Sequence, residues 1–303
     1  MAKTINVSGR SIEISHPDKV FFPKAGFTKG NIADYYQRIA PTMLPYLQGR
    51  PLSMQRFPDG IKGSGFYQKE RPDYFPDWIA SAQIEVKEDD SRQEQVVCND
   101  AASLVYLADQ GVITPHRWLS HADQIKKPDL LIFDLDPPEG DFEAVRFAAR
   151  RLHDLLDEIE MESFVMTTGS QGLHVVTPLK PKATFDETRQ FARNLGEQLA
   201  QRYPDRLTLE TRKHERKGRL FLDYLRNAYG QTAVTPYALR PITGAPIATP
   251  LSWDELDDGD LGSQSYTLDN IFRRLGHKDD PWKEMPRSAV DLENARHRLS
   301  DHA

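Results

Sequence analysis

Two carboxylates stand one residue apart at the end of an apolar run, Leu130-Leu131-Ile132-Phe133-Asp134-Leu135-Asp136, which Pro137-Pro138 closes. The run is short, apolar and bounded by polar residues and prolines, which predicts a buried strand over 130–133. Side chains alternate along a strand, so Asp134 and Asp136 are expected to share a face at its end. Two close carboxylates repel and raise each other's pKa. A divalent cation removes that cost, and hard cations take oxygen ligands. The pair reads as half of a metal site; the bland alternative is a strand ending in two solvated acids. Asp223 interrupts a second apolar run, Leu220-Phe221-Leu222-Asp223-Tyr224-Leu225. A lone carboxylate there is expensive unless paired or bound to metal, so Asp223 is the candidate to complete the site.

Groups suited to phosphate lie nearby in the chain. Thr168-Gly169-Ser170-Gln171-Gly172 is a tight turn between strands expected over 163–167 and 173–177. Glycines let backbone N–H groups approach an anion, and His174 can donate to a phosphate. A plain hairpin explains the same turn, and Gly-x-x-Gly spacing alone is weak. The most basic stretch is Arg212-Lys213-His214-Glu215-Arg216-Lys217-Gly218-Arg219; Arg226-Asn227, Tyr237 and Arg240 continue the polar set. His116, beside Arg117, is a further candidate, although a lone His is more often structural. Together these residues fit nucleotidyl transfer. Two divalent ions on the acids would lower the pKa of an attacking 3′-hydroxyl and neutralise the leaving pyrophosphate. Arginines, His174 and the turn would clamp a triphosphate.

The elements that must carry these groups are legible as patterns. Residues 4–14 alternate around a Gly turn and predict a hairpin. Thr28 or Asn31 can cap a helix bearing Ile32, Tyr35, Tyr36 and Ile39, with Lys19 and Lys29 bracketing its entry. Singly, such lysines are usually solvated charges. Residues 51–79 interleave aromatics, among them Phe66, with basic residues, which suits single-stranded nucleic acid, though most such rings are core. A short helix is expected over 101–110, and a loop or edge strand over 114–121. Asp141 and the Thr184–Glu187 capping box each open a helix. Residues 241–250 read as extended, 254–260 as an acidic surface run, and the tail from Ser288 as helical.

The 303 residues are 39% hydrophobic, enough for a substantial core. The single cysteine, Cys98, excludes an intramolecular disulfide and a cysteine-based zinc cluster. No apolar stretch is long enough to span a bilayer and no signal-peptide pattern opens the chain, so a cytoplasmic protein without a membrane partner is expected. The net charge of −6 requires any nucleic-acid or nucleotide site to be built from a local basic surface.

From His16-Pro17-Asp18-Lys19 to Pro250-Leu251-Ser252-Trp253 the sequence resembles the polymerase domain of bacterial ATP-dependent DNA ligase D, in the archaeo-eukaryotic primase superfamily. Four ordered motifs carry the resemblance: Phe133-Asp134-Leu135-Asp136-Pro137, Thr168-Gly169-Ser170-Gln171-Gly172-Leu173-His174, Phe221-Leu222-Asp223-Tyr224-Leu225-Arg226-Asn227, and Tyr237-Ala238-Leu239-Arg240-Pro241. It implies an α/β primase-polymerase fold, with mixed sheets and flanking helices around a catalytic cleft. One domain over 1–303 is expected: a DNA-end and template-binding part to 125, a catalytic core over 126–250, and a C-terminal extension. The resemblance implies metal ligation by Asp134, Asp136 and Asp223, with two manganese or magnesium ions. It implies triphosphate contacts from Thr168, His174, Arg216 and Arg240 and from the turn Gly169-Ser170-Gln171-Gly172, with His116 and Arg226 nearby. Lys19 and Lys29 match lysines that bind the 5′-phosphate of a DNA end, and Phe66 matches a ring that stacks on template. Implied partners are gapped or broken DNA, nucleoside triphosphates with ribonucleotides preferred, the end-binding protein Ku and a separate ligase, with nucleoid association during repair. Gln171 departs from the family's frequent lysine and removes one positive charge. Without a ligase lysine motif or nuclease module, the chain reads as a free-standing polymerase. The alternatives are a haloacid-dehalogenase-type phosphohydrolase, against which Pro138 counts, and a non-catalytic DNA-end-binding module.

Overall fold

The structure, a computed structural model, describes residues 3–86, 91–137 and 140–301. Pro138 lies outside them. The chain divides into two compact units: residues 1–118, 232–248 and 266–274 form one, and residues 119–231, 249–265 and 275–303 the other.

In the first unit, alternation folds Lys3–Val7 onto Arg10–Ile14 as the expected antiparallel hairpin. Thr28 caps helix Lys29–Met43, and Asn31 reciprocates to complete a capping box. The first two helical amides are already spent: Lys29 N donates to Lys19 O and Gly30 N to Pro17 O, each at 2.8 Å. The apolar stripe of this helix packs on helix Ala101–Asp109. Burying Tyr35 and Tyr36 requires acceptors for their phenols, and the carbonyls of Tyr237 and Ile113 supply them. A four-stranded antiparallel sheet runs in the order Thr232–Val234, Val112–Trp118, Leu52–Arg56, Phe66–Gln68. Residues 114–118, expected as loop or edge, thus lie in an interior strand. Pro115 has no N–H to give to a ladder, and its carbonyl accepts from Thr235 Oγ1 at 2.9 Å.

The second unit is organised on a six-stranded sheet in the order Leu207–Thr208, Leu220–Asp223, Leu130–Leu135, Leu173–Pro178, Phe164–Thr167, Pro250–Leu251. Only the first pair is parallel. The acid-bearing strand Leu130–Leu135 is interior and buried along its length, which explains its near-continuous apolar character. Helices Phe142–Glu158 and Phe185–Arg202 pack against it, opened by the Asp141 cap and the Thr184–Glu187 capping box. The acidic run near 257 is tied down through its backbone. The carbonyls of Leu256, Asp258, Gly259 and Leu261 converge on the buried Arg146 guanidinium at 2.5–3.1 Å.

The strand holding Asp223 stops at that residue rather than running to Leu225. The Asp223 carboxylate accepts from Leu225 N at 2.8 Å and turns the chain into the short 3-10 helix Leu225–Asn227. Asn227 then returns to the acid strand: its amide donates to Ile132 O at 2.7 Å and accepts from Ile132 N at 2.9 Å. A side chain thereby continues a backbone ladder past the end of the strand. Asn227→Ala would leave a buried N–H and a buried carbonyl unpaired, each costing roughly 1–3 kcal/mol. Loss of about 3 kcal/mol is expected in denaturant unfolding, whereas Asn227→Asp should retain part of it; a melt indistinguishable from wild type would refute the role.

Candidate active site

Register brings the acids together. Asp134 faces Asp223 on one neighbouring strand and His174 on the other. Directly opposed residues of antiparallel strands share a face, so Asp223, Asp134 and His174 form one row across the sheet. Asp136 follows just past the strand's end, two residues beyond Asp134.

Asp134 is 8% exposed. Its Oδ2 accepts from Arg226 Nη2 at 2.7 Å, and its Oδ1 lies 3.4 Å from His174 Nε2. Burial pushes this carboxyl upward, but His174 and then Arg226 outweigh burial and hold it well below the usual carboxylate range. Asp136 moves the other way: burial and the Asp134 charge raise its pKa, with Asp223 adding to the rise. Asp223 is raised by burial and by Asp134, against the pull of Arg226. The donor set is therefore three hard carboxylates, two of which have their charged forms disfavoured by burial and by like charge. That chemistry fits a divalent ion. As placed, no group of three or more His, Cys, Asp or Glu among the described residues is gathered closely enough to hold one. The oxygens of Asp134 face Arg226 and His174 instead.

The Gly-bearing turn rests on the end of the acid strand. A Cβ on Gly172 would lie 1.9 Å from Leu135 O and 3.1 Å from Asp136 Cα, so this position admits only glycine. Gly169 takes a positive φ of 65°. Within the turn, Thr168 Oγ1 accepts from the amides of Ser170 and Gly172, each at 3.3 Å. Gln171 is exposed. Ser170 O is held by Ser263 Oγ at 2.9 Å and Gln264 Nε2 at 2.7 Å, two residues with no signal in the motif. Arg216 is engaged within its own loop. Its guanidinium donates to Glu210 O and Thr211 O and lies 4.3 Å from the centroid of Phe221.

The remaining predicted residues belong to the first unit. His116 sits on the interior strand Val112–Trp118, its ring 5.4 Å from that of Tyr67. Phe66 is exposed and opposes Arg56, whose buried guanidinium also donates to Tyr74 Oη at 2.9 Å. Arg240 donates its backbone N–H to Pro246 O at 2.8 Å. Both lysines hold carboxylates: Lys19 reaches Asp59 at 2.6 Å and Lys29 reaches Asp109 at 2.7 Å. The second pair is buried, with Ser15 Oγ also on Lys29 at 2.7 Å. Arg56 and Asp59 lie in the basic and aromatic stretch over 51–79, whereas Asp109 has no signal in the sequence because its partner Lys29 is distant in the chain.

A family model described as the primase-polymerase domain of LigD matches residues 28–282. The chain belongs to the LigD primase-polymerase domain family. The bifunctional non-homologous end joining protein LigD of Bacillus subtilis is 31% identical over 282 residues, 92% of this chain and 45% of that protein. The multifunctional LigD of Pseudomonas aeruginosa is 31% identical over 292 residues, 95% of this chain and 34% of that protein. The polymerase domain of Mycobacterium tuberculosis Ligase D, solved in complex with DNA, superposes with a TM-score of 0.85 at 28% identity, covering 92% of this chain and 99% of that one. The chain thus spans less than half the length of these curated relatives and nearly all of the solved polymerase domain. The mixed α/β architecture expected from the motifs is the architecture of the LigD polymerase domain. By class, a LigD primase-polymerase domain is a metal-dependent, DNA-directed nucleotidyltransferase. The phosphohydrolase reading finds no support among these relatives. No helix among the described residues is long and apolar enough to cross a membrane.

Proposed function

We propose that this chain adds nucleotides, ribonucleotides preferentially, to the 3′ ends of gapped or broken DNA during end joining. Support comes chiefly from the row Asp223–Asp134–His174, set by register in a chain of this family. Asp134, Asp136 and Asp223 would hold two divalent ions, manganese or magnesium. Bound there, the ions would lower the pKa of the 3′-hydroxyl and neutralise pyrophosphate charge. The chain's own residues would do the rest. His174 and Arg226 neighbour the acids and would donate to phosphate oxygens. The turn at 168–172 would fix the end of the acid strand against them. Arg216 would add a nucleotide contact in the second unit; His116 and Arg240 are proposed as nucleotide contacts, and Phe66 as a stack on template, on the family resemblance alone. Ku and a separate ligase are the proposed partners, and the nucleoid the working location.

The deciding assay is manganese-dependent extension on gapped DNA, with ribo- and deoxyribonucleotides compared and the downstream 5′ end phosphorylated or not. Expected are extension, a ribonucleotide preference and a gain from the 5′-phosphate that salt erodes. No addition of either nucleotide would reject the reading. Lys19 and Lys29 are proposed to read the phosphate. Lys29 is buried against Asp109, so its removal alone would strand a charge. Lys19→Ala with Lys29→Met and Asp109→Asn avoids this. That variant should lose the phosphate preference and still extend unphosphorylated gaps; an undiminished preference would return both lysines to structural duty.

A further inference from the structure

Three carboxylates in one site need positive charge whether or not an ion is bound. In this chain an arginine side chain supplies one: Arg226 Nη2 donates to Asp134 Oδ2 at 2.7 Å. Arg226 stands three residues after Asp223, and the turn that Asp223 itself caps carries it back over the acid row. Its side chain is about one-third exposed, and among the described residues its buried Nε has no acceptor. The guanidinium is therefore held mainly through Asp134 and has solvent on one side. His174 addresses the other oxygen of the same carboxylate. Each oxygen of Asp134 thus already has a cationic or imidazole neighbour.

We propose that Arg226 is the resident counter-cation of the ion-free site, and that a divalent ion must displace it from Asp134. This rests on the reading of Asp134, Asp136 and Asp223 as ion ligands. Displacement makes the two cations competitors, so ion affinity is set below what the carboxylates alone would give. It also leaves a guanidinium without its anion at the moment the ion arrives, free to fork onto a triphosphate. Ion and nucleotide then bind with positive coupling, and linkage makes the coupling reciprocal.

Titration of Mn2+ into the full chain, followed by calorimetry and by the paramagnetic signal of free Mn2+, tests this without turnover. Arg226→Gln should bind Mn2+ about tenfold more tightly. It should melt lower than wild type without the ion and recover most of the difference with it. A non-hydrolysable nucleoside triphosphate should gain less from Mn2+ in the variant than in wild type. Should Arg226→Gln not fold, Arg226→Lys keeps the charge without the fork, and two- to threefold tighter binding is expected. Unchanged or weaker Mn2+ affinity in a folded variant overturns the proposal. Asp134→Asn, run in parallel, separates the two levels. If it abolishes Mn2+ binding while Arg226→Gln has no effect, only the competition is wrong. If it binds Mn2+ like wild type, the ligand reading fails and the competition with it.

Discussion

Asp223→Asn is expected to reduce nucleotide addition at least a thousandfold while leaving the melting temperature unchanged or slightly raised. The catalytic loss follows from the several kcal/mol that a correctly ligated ion supplies to phosphoryl-type transition states, at 1.36 kcal/mol per tenfold. The stability result follows from environment. Burial and the Asp134 charge push Asp223 up, so its ionised form is a net burden on the ion-free fold. Asparagine removes that charge and retains an oxygen for Leu225 N. Asp134 should behave oppositely. Its carboxyl is held well below the usual range by His174 and Arg226, so removing it strands two partners. Breaking a buried pair costs about 3–5 kcal/mol, less here because Arg226 is partly solvated. Asp134→Ala should therefore lose both activity and about 2 kcal/mol of stability. Gap extension and thermal melts of both variants decide the matter. Near-normal extension by Asp223→Asn would remove that residue from the ion site.

Gly172→Ala should be the most damaging single-methyl change in the second unit. The added carbon would sit 1.9 Å from Leu135 O and 2.8 Å from Leu135 C, and neither atom is a mobile side-chain tip. Relief requires the turn and the acid strand to part, breaking the register that aligns His174 with Asp134. Overpacking typically costs 1–3 kcal/mol; with backbone on both sides, about 3 kcal/mol or more is expected, together with loss of extension. Gly169→Ala carries the left-handed penalty of roughly 1–2 kcal/mol. Chemical denaturation should thus rank Gly172→Ala well below Gly169→Ala, and equal stabilities would contradict the close approach.

Much of this was legible in the sequence because the relevant signals are local. The acid strand, a cap at Thr28, the capping box at Thr184, and the turn at 168–172 depend on short-range pattern, and the structure has them at those places. The cost of burying a lone acid, a constraint that acts regardless of separation, makes Asp223 the candidate to join Asp134 and Asp136, and the register sets it opposite Asp134. What escaped were long-range partners. Nothing in the run around Lys29 announces Asp109, and nothing near Thr168 announces Ser263 or Gln264. Strand 112–118 is interior although Pro115 reads as a breaker, because nothing local announces the distant donor, Thr235, that satisfies the Pro115 carbonyl.

The Asn227 amide that completes the ladder at Ile132 also sets a rule about length. Asp223 must reach the acid row while Asn227, four residues on, must meet the backbone two residues before Asp134. The intervening segment therefore works as a fixed ruler. One residue added or removed between them would make the two anchor points incompatible, although a surface loop would absorb the same change for a few tenths of a kcal/mol. One-residue insertions or deletions between 224 and 226 should accordingly abolish folding or activity, which thermal melts and gap extension would read.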